Sequence, residues 1–288
     1  MDHSLSLEDV RKVLHGISIP PQPQILVDLQ MEQIMPNPDL RRISQLISQD
    51  PGLAGSVLKI VNSSAFGLRN HISSIPQAVQ LLGLSTLINV LNGISIKSEM
   101  SDDTIVQLGR FWDTAIDIAR VCACLASQLG LRNPDEGYAL GLFHNCGIPL
   151  LMRRFTNYLE VVETSYEAHE HRIIDIENHA FNTNHAVVGY YVARSWHLPT
   201  HLGEIIAEHH NVESIFIADE PYAHDKKRLL AVLKIAEHFC GNHRLLGQQE
   251  QDYEWERIEL PLLSYMGLSQ DQLENLRDDL IDAGQLSG

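Results

Sequence analysis

Several things are scarce or missing in these 288 residues, and each omission narrows the reading. The four cysteines, Cys122, Cys124, Cys146 and Cys240, include no Cys-x-x-Cys pair and sit among apolar neighbours. They read as buried free thiols of a reducing compartment. No run of eighteen apolar residues occurs, so no membrane span is expected. Met1-Asp2-His3-Ser4 opens without a basic region leading into an apolar one, so no signal peptide is expected either, and a cytoplasmic location follows by elimination. Positive charge is in short supply: 21 bases face 37 acids, for a net charge of -16. Such a chain repels nucleic acid and anionic membrane at long range. Its short basic runs, Arg41-Arg42, Arg153-Arg154 and Lys226-Lys227-Arg228, read as solvated helix faces. There is no glycine-rich phosphate loop and, in the first third, no strand-like alternation.

What is present is helical. Apolar residues make up 44% and charged residues 20% of the chain, a globular balance with ample core to bury. After a short helix over residues 5–16, Pro20, Pro21 and Pro23 exclude helix interior, because each lacks an N–H. Apolar residues then recur at helical spacing, Leu40, Ile43, Leu46 and Ile47 among them. Asp39 or Asn37 can cap one helix, and Asp50-Pro51 is a strong start for the next. Ser74 and Gln77 have capping-box spacing, Gly83 ends that helix, and Ser85 can cap another. A long helix over 103–129 carries a broad apolar face and stops at Gly130. Asn133 or Asp135 begins a helix running to Phe143. Another runs from Asp225 to Phe239. Residues 241–252 read as a loop. Ser269 and Gln272 form a second capping box for a final amphipathic helix that ends near Gly284.

The chemistry-bearing residues lie downstream of residue 140. His144 stands beside Asn145 in Gly141-Leu142-Phe143-His144-Asn145-Cys146-Gly147, and His185, His209 and His210 follow. Imidazoles at such positions suit zinc, iron or manganese. His169, His171, His179 and His197 read as surface or loop residues.

Ile47-Ser48-Gln49-Asp50-Pro51-Gly52-Leu53, then Lys59-Ile60-Val61-Asn62-Ser63, then Ile72-Ser73-Ser74-Ile75 with Ala78 and Leu81-Leu82-Gly83-Leu84, resemble the HDOD domain. That family is an all-helical bacterial signalling domain related to the HD phosphohydrolases, and the resemblance covers most of residues 18–240. It implies an all-α fold in which an N-terminal bundle of short helices (1–100) packs on a degenerate HD-like bundle (101–240), followed by a C-terminal extension with one docking helix (241–288). It also implies a signalling role through protein contacts, in a family whose members usually lack demonstrated enzymatic activity.

Carried over position by position, the HD metal site is broken. Thr114 stands where the first ligand histidine belongs, Asn145 replaces the paired aspartate, and Glu237 replaces the last aspartate. His144, His185, His209, His210 and Glu237 remain as a residual metal set, with Thr114 and Asn145 in a relic polar cavity. Of His209 and His210 only one is expected to point directly inward, since neighbouring helical residues diverge by about 100°, though both can border one cavity. No cofactor is expected beyond an adventitious divalent metal. The partners implied are signalling proteins of two-component or cyclic-dinucleotide pathways, with no nucleic acid or membrane, and the sequence leaves homo-oligomerisation open. Phe66, Leu68 and His71 are the candidate interaction surface, along with the last helix. The alternatives are an HD-type phosphohydrolase with altered ligands and a nucleotide-binding sensor without turnover.

Overall fold

The computed structural model describes residues 14, 16–20, 22–62, 72–100, 106–218 and 222–286. Phe66, Leu68 and His71 lie outside the described residues. Among the described residues every regular element is a helix.

The N-terminal helices are α1 (Gln24–Gln33), α2 (Leu40–Ser48), α3 (Pro51–Val61) and α4 (Ile75–Met100). Of the two residues able to cap α2, Asp39 does so, accepting from the Arg41 and Arg42 amides at 2.9 and 3.3 Å. Asp50 caps α3, accepting from Leu53 N at 3.0 Å with Pro51 in the first turn. Asn62 closes α3 and reaches across the chain: its Oδ1 accepts from Ile72 N at 2.7 Å and its Nδ2 donates to Ile72 O at 2.8 Å. Ser74 Oγ accepts from Gln77 N at 3.4 Å, while the Gln77 side chain turns back to Ser73 N at 3.0 Å rather than to Ser74. Gly83 breaks α4 with φ 77°, a conformation side chains resist, so the expected stop and restart appear as one kinked element. By length and composition alone Ile75–Ile96 could cross a membrane, but here half of it is buried against the other helices.

The central bundle begins with α5 (Val106–Gln128) packed on α6 (Pro134–Phe143). It continues through α7 (Gly147–Arg154), α8 (Tyr158–Glu167), α9 (Ile173–Phe181), α10 (His185–Ser195), α11 (Thr200–Glu208), α12 (Val212–Phe216) and α13 (His224–Cys240). α4 packs on α1, α2 and α3 and also on α6, so it joins the two bundles. Pro20 O accepts from Trp196 Nε1 at 2.9 Å, which ties the proline segment to the central bundle. One apolar cluster runs from Ile17 to Leu280.

The C-terminal extension departs from the sequence reading. Part of the expected 241–252 loop is a short helix, α14 (Asn242–Leu245). The largest miss is α15 (Tyr253–Met266), which carries Pro261 in its interior. The proline hid it, yet Asp252 caps it by accepting from Trp255 N at 3.1 Å, and Trp255, Ile258, Leu262 and Leu263 bury one face. The last helix, α16 (Gln270–Asp282), has its Ser269–Gln272 capping box and docks by Leu273 and Leu280. One basic run is not a solvated face: Lys227 is buried, with its ammonium 4.7 Å from the Tyr265 ring centroid and 5.5 Å from that of Phe216. The cysteines are free, Cys122 and Cys146 buried and Cys124 and Cys240 only half-buried.

Candidate functional site

The histidines gather because three helix ends meet. His144 follows the last turn of α6, and His185 opens α10, whose cap Asn184 accepts from Val187 N at 2.9 Å. His209 and His210 follow α11. The chain passes closely between two of these ends: a Cβ on Gly147 would lie 2.1 Å from His185 O. Only glycine permits that approach.

His185 Nε2 lies 3.3 Å from His209 Nε2 and 3.1 Å from His210 Nε2. All three rings are at most 2% exposed. Each Nδ1 has an acceptor of its own. Glu177 Oε2 takes His185 Nδ1 at 2.7 Å, Ile206 O takes His209 Nδ1 at 2.7 Å, and Glu254 Oε1 takes His210 Nδ1 at 2.8 Å. With Nδ1 turned to these acceptors, Nε2 is the atom each ring offers a metal, and the three lie within 4.8 Å of one another. Burial, with the neighbouring His210 and Lys234 charges, holds His209 well below the usual histidine range; burial and Lys234 do the same to His210. Both rings are thus neutral ligands.

This set fits one divalent ion. Imidazole ligands at 2.0–2.1 Å from a tetrahedral metal stand about 3.3 Å apart, close to the 3.3 and 3.1 Å that separate His185 Nε2 from His209 and His210 Nε2. Carboxylates and a carbonyl behind the rings are the supports such ligands use to fix their tautomer. His209 and His210 both border this centre from the end of α11, where His209 is the C-cap with helical φ and ψ.

His144 and Glu237 form a second group beside the first. His144 Nδ1 donates to Gly141 O at 2.7 Å, and its Nε2 stands 3.3 Å from Glu237 Oε1 without hydrogen-bond alignment. Its ring meets that of His209 edge-on at 5.5 Å. Asn145 is buried, and its Oδ1 finds no partner. Thr114 is buried on α5, which packs on both α6 and α13. Glu237 is held by Lys234, whose Nζ lies 2.8 Å from Oε2, and by Asn242, whose Nδ2 donates to Oε1 at 3.1 Å. Burial alone would raise the Glu237 carboxyl; the Lys234 charge and His144 outweigh it and hold the group far below the usual range. Lys234 is itself buried, and the pull of Glu237 and Glu254 raises it despite burial. On this side an ammonium occupies the carboxylate that a metal would need, and Thr114 and Asn145 bring no charge. A second dication does not fit.

Four residues that position the site escaped the sequence reading: Glu177, Tyr158, Lys234 and Glu254. Glu177 accepts from Tyr158 Oη, His185 N and His185 Nδ1, a fully satisfied buried carboxylate. Lys234 was findable, as the lone charge in the apolar run Leu229–Ala236, three residues before Glu237. Glu254 was not, because its contacts are made across 20 and 44 residues. His169, His171, His179 and His197 are exposed, as expected.

The HDOD domain pattern matches residues 19–212. It therefore stops short of the resemblance read from sequence, and α13 and α15, with Lys234, Glu237 and Glu254, lie beyond it. A Treponema pallidum protein, itself uncharacterized, is 30% identical over 202 residues, 67% of this chain and 38% of its own length. YuxH of Bacillus subtilis, also uncharacterized, is 29% identical over 125 residues, 42% of this chain and 28% of its own. The chain spans about a third of the length of these relatives. An HDOD domain protein of unknown function from Geobacter sulfurreducens shares the fold, with TM-score 0.68 over 95% of this chain and 92% of that one at 22% identity.

Proposed function

The chain belongs to the HDOD family, and from that premise we propose that it is a non-catalytic bacterial signalling module acting through protein contacts. The observation that carries this reading is closure of the histidine centre. His144, His185, His209 and His210 are each at most 2% exposed. The cavity beside them, which reaches Lys234, Glu237 and Glu254, measures only about 30 Å³, and none of the four histidines lines it. A phosphoester needs a pocket of roughly 300–1,000 Å³. The α15 end supplies part of this closure through Glu254.

One divalent ion on His185, His209 and His210 belongs to the same proposal. Bound there, it would cross-link α10 to the end of α11 and supply structure. The partners proposed are signalling proteins of two-component or cyclic-dinucleotide pathways, met in the cytoplasm, where the four free cysteines stay reduced.

The test is turnover. The full chain, loaded in turn with zinc, manganese and magnesium, is assayed on mononucleotides, cyclic dinucleotides and a chromogenic phosphodiester. No hydrolysis above buffer is expected. Hydrolysis that disappears in His185→Ala would overturn the proposal in favour of an HD-type phosphohydrolase with altered ligands.

A further inference from the structure

Two clefts away from the histidine centre adjoin at the seam between the bundles. The first, about 540 Å³, lies between α1, α4 and the start of α6. Its walls carry the carboxamides of Gln30, Gln33, Asn89 and Asn92. The second, about 530 Å³, lies beside the starts of α6 and α13 and carries Arg132, Lys226, Arg228 and His201. Asn133 and Glu136 line both. Each volume falls within the roughly 300–1,000 Å³ of small-molecule sites.

The chemistry along this double cleft is ordered. Carboxamides come first. They are the side chains that pair with the edges of nucleobases, offering donor and acceptor together. Each has one internal bond: Asn89 Nδ2 donates to Asp135 Oδ2 at 3.2 Å, Gln33 Nε2 to Ser85 Oγ at 3.3 Å and Gln30 Nε2 to Trp196 O at 3.5 Å, while Asn92 Oδ1 accepts from Gln22 Nε2 at 3.4 Å. At the junction stand two carboxylates, Asp135 and Glu136, the groups that accept from ribose hydroxyls. Glu136 is oriented by His201 Nε2 at 3.0 Å and by Asn133 Nδ2 at 3.1 Å. Cations come last. Arg132 is exposed, Arg228 spends one nitrogen on Leu129 O at 2.6 Å, and Lys226 pairs with Glu204 at 2.9 Å. A guanidinium has five donors, so both arginines retain capacity for a phosphate.

We propose that the double cleft binds a nucleoside monophosphate, its base among the carboxamides of α1 and α4, its ribose at Asp135 and Glu136, and its phosphate at Arg132 and Arg228. The ligand would span the N-terminal and central bundles without touching His144, His185, His209 or His210. Binding and the closed histidine centre are therefore independent, and either can fail alone.

Calorimetry on the full, chelator-treated chain tests this with AMP, GMP, CMP and UMP, the matching nucleosides, and inorganic phosphate. At least one monophosphate is expected to bind with Kd below about 1 mM, with its nucleoside and phosphate alone at least about tenfold weaker. Arg132→Ala and Gln33→Ala, both near the surface, should each weaken it by about tenfold or more. No saturable heat with any monophosphate, binding indifferent to both cleft substitutions, or phosphate binding as tightly as the nucleotide would each overturn the proposal. Circular dichroism confirms that the variants fold.

Discussion

Glu254 Oε2 lies 2.7 Å from Lys234 Nζ, and this contact fastens the C-terminal extension to the heart of the central bundle. The other oxygen of the same carboxylate takes His210 Nδ1 at 2.8 Å. One side chain of α15 therefore neutralises a buried ammonium and fixes the tautomer of a candidate metal ligand.

Removing either partner should cost more than its packing. Lys234→Ala leaves Glu237 and Glu254 without their shared cation in a closed site, and breaking a buried pair in this way costs about 3–5 kcal/mol. Glu254→Ala should cost less, because Lys234 keeps Glu237 at 2.8 Å. Urea unfolding of both variants against wild type checks the order. Equal, sub-kilocalorie losses would mean that the pair is solvated in solution.

Metal binding should separate the two groups of histidines. One zinc per chain is expected by elemental analysis after dialysis, lost in His209→Ala and retained in His144→Ala. Zinc should also raise the melting temperature of wild type, since any ion bound only by the folded chain stabilises it, and leave that of His209→Ala unmoved. Retention of zinc in His209→Ala would relocate the ion.

Protonation should act on the same pair. His209 and His210 are held far below the usual histidine range by burial and by the Lys234 charge. The unfolded chain then binds more protons than the folded one once pH drops below about 6.5. Their contribution to stability is present above that pH and lost as pH falls, at up to about 1.4 kcal/mol per unit for each ring. Denaturation of chelator-treated protein from pH 8 to 5 should show the decline, and His209→Gln should flatten it. A flat wild-type profile would exclude neutral buried rings.

Much of the fold was legible in the sequence because its signals are local. Asp39, Asp50, Asn184 and Ser269 each cap the helix that follows within three residues. Gly83 and Gly130 take the positive φ expected of a helix stop. What was hidden depends on distance along the chain or on an exception. α15 was obscured by Pro261, whose missing N–H the helix tolerates. His209 and His210 meet His185 from a different helix, 24 and 25 residues along the chain. The ligand candidates were visible as residue types, but Glu254, which supports His210, comes from a helix that only the fold brings near.

Asn145 supplies the last test. Its buried Oδ1 is unpartnered, a cost of about 1–3 kcal/mol. Asn145→Asp replaces it with a charge beside His144, in a group that already holds Glu237. Without metal the new carboxylate has no free cation to meet, because Lys234 is shared between Glu237 and Glu254. The variant should therefore be less stable than wild type by several kcal/mol, on the order of 3, in chelator. Added manganese or zinc should leave the metal content at one per chain, because the Lys234 ammonium still holds Glu237 at 2.8 Å. If instead the variant matches wild type in chelator, Asn145 faces water in solution. Asn145→Asp combined with Lys234→Met, which removes the ammonium, should raise the content toward two; a second metal in Asn145→Asp alone would mean that the missing aspartate, rather than Lys234, closes this half of the site.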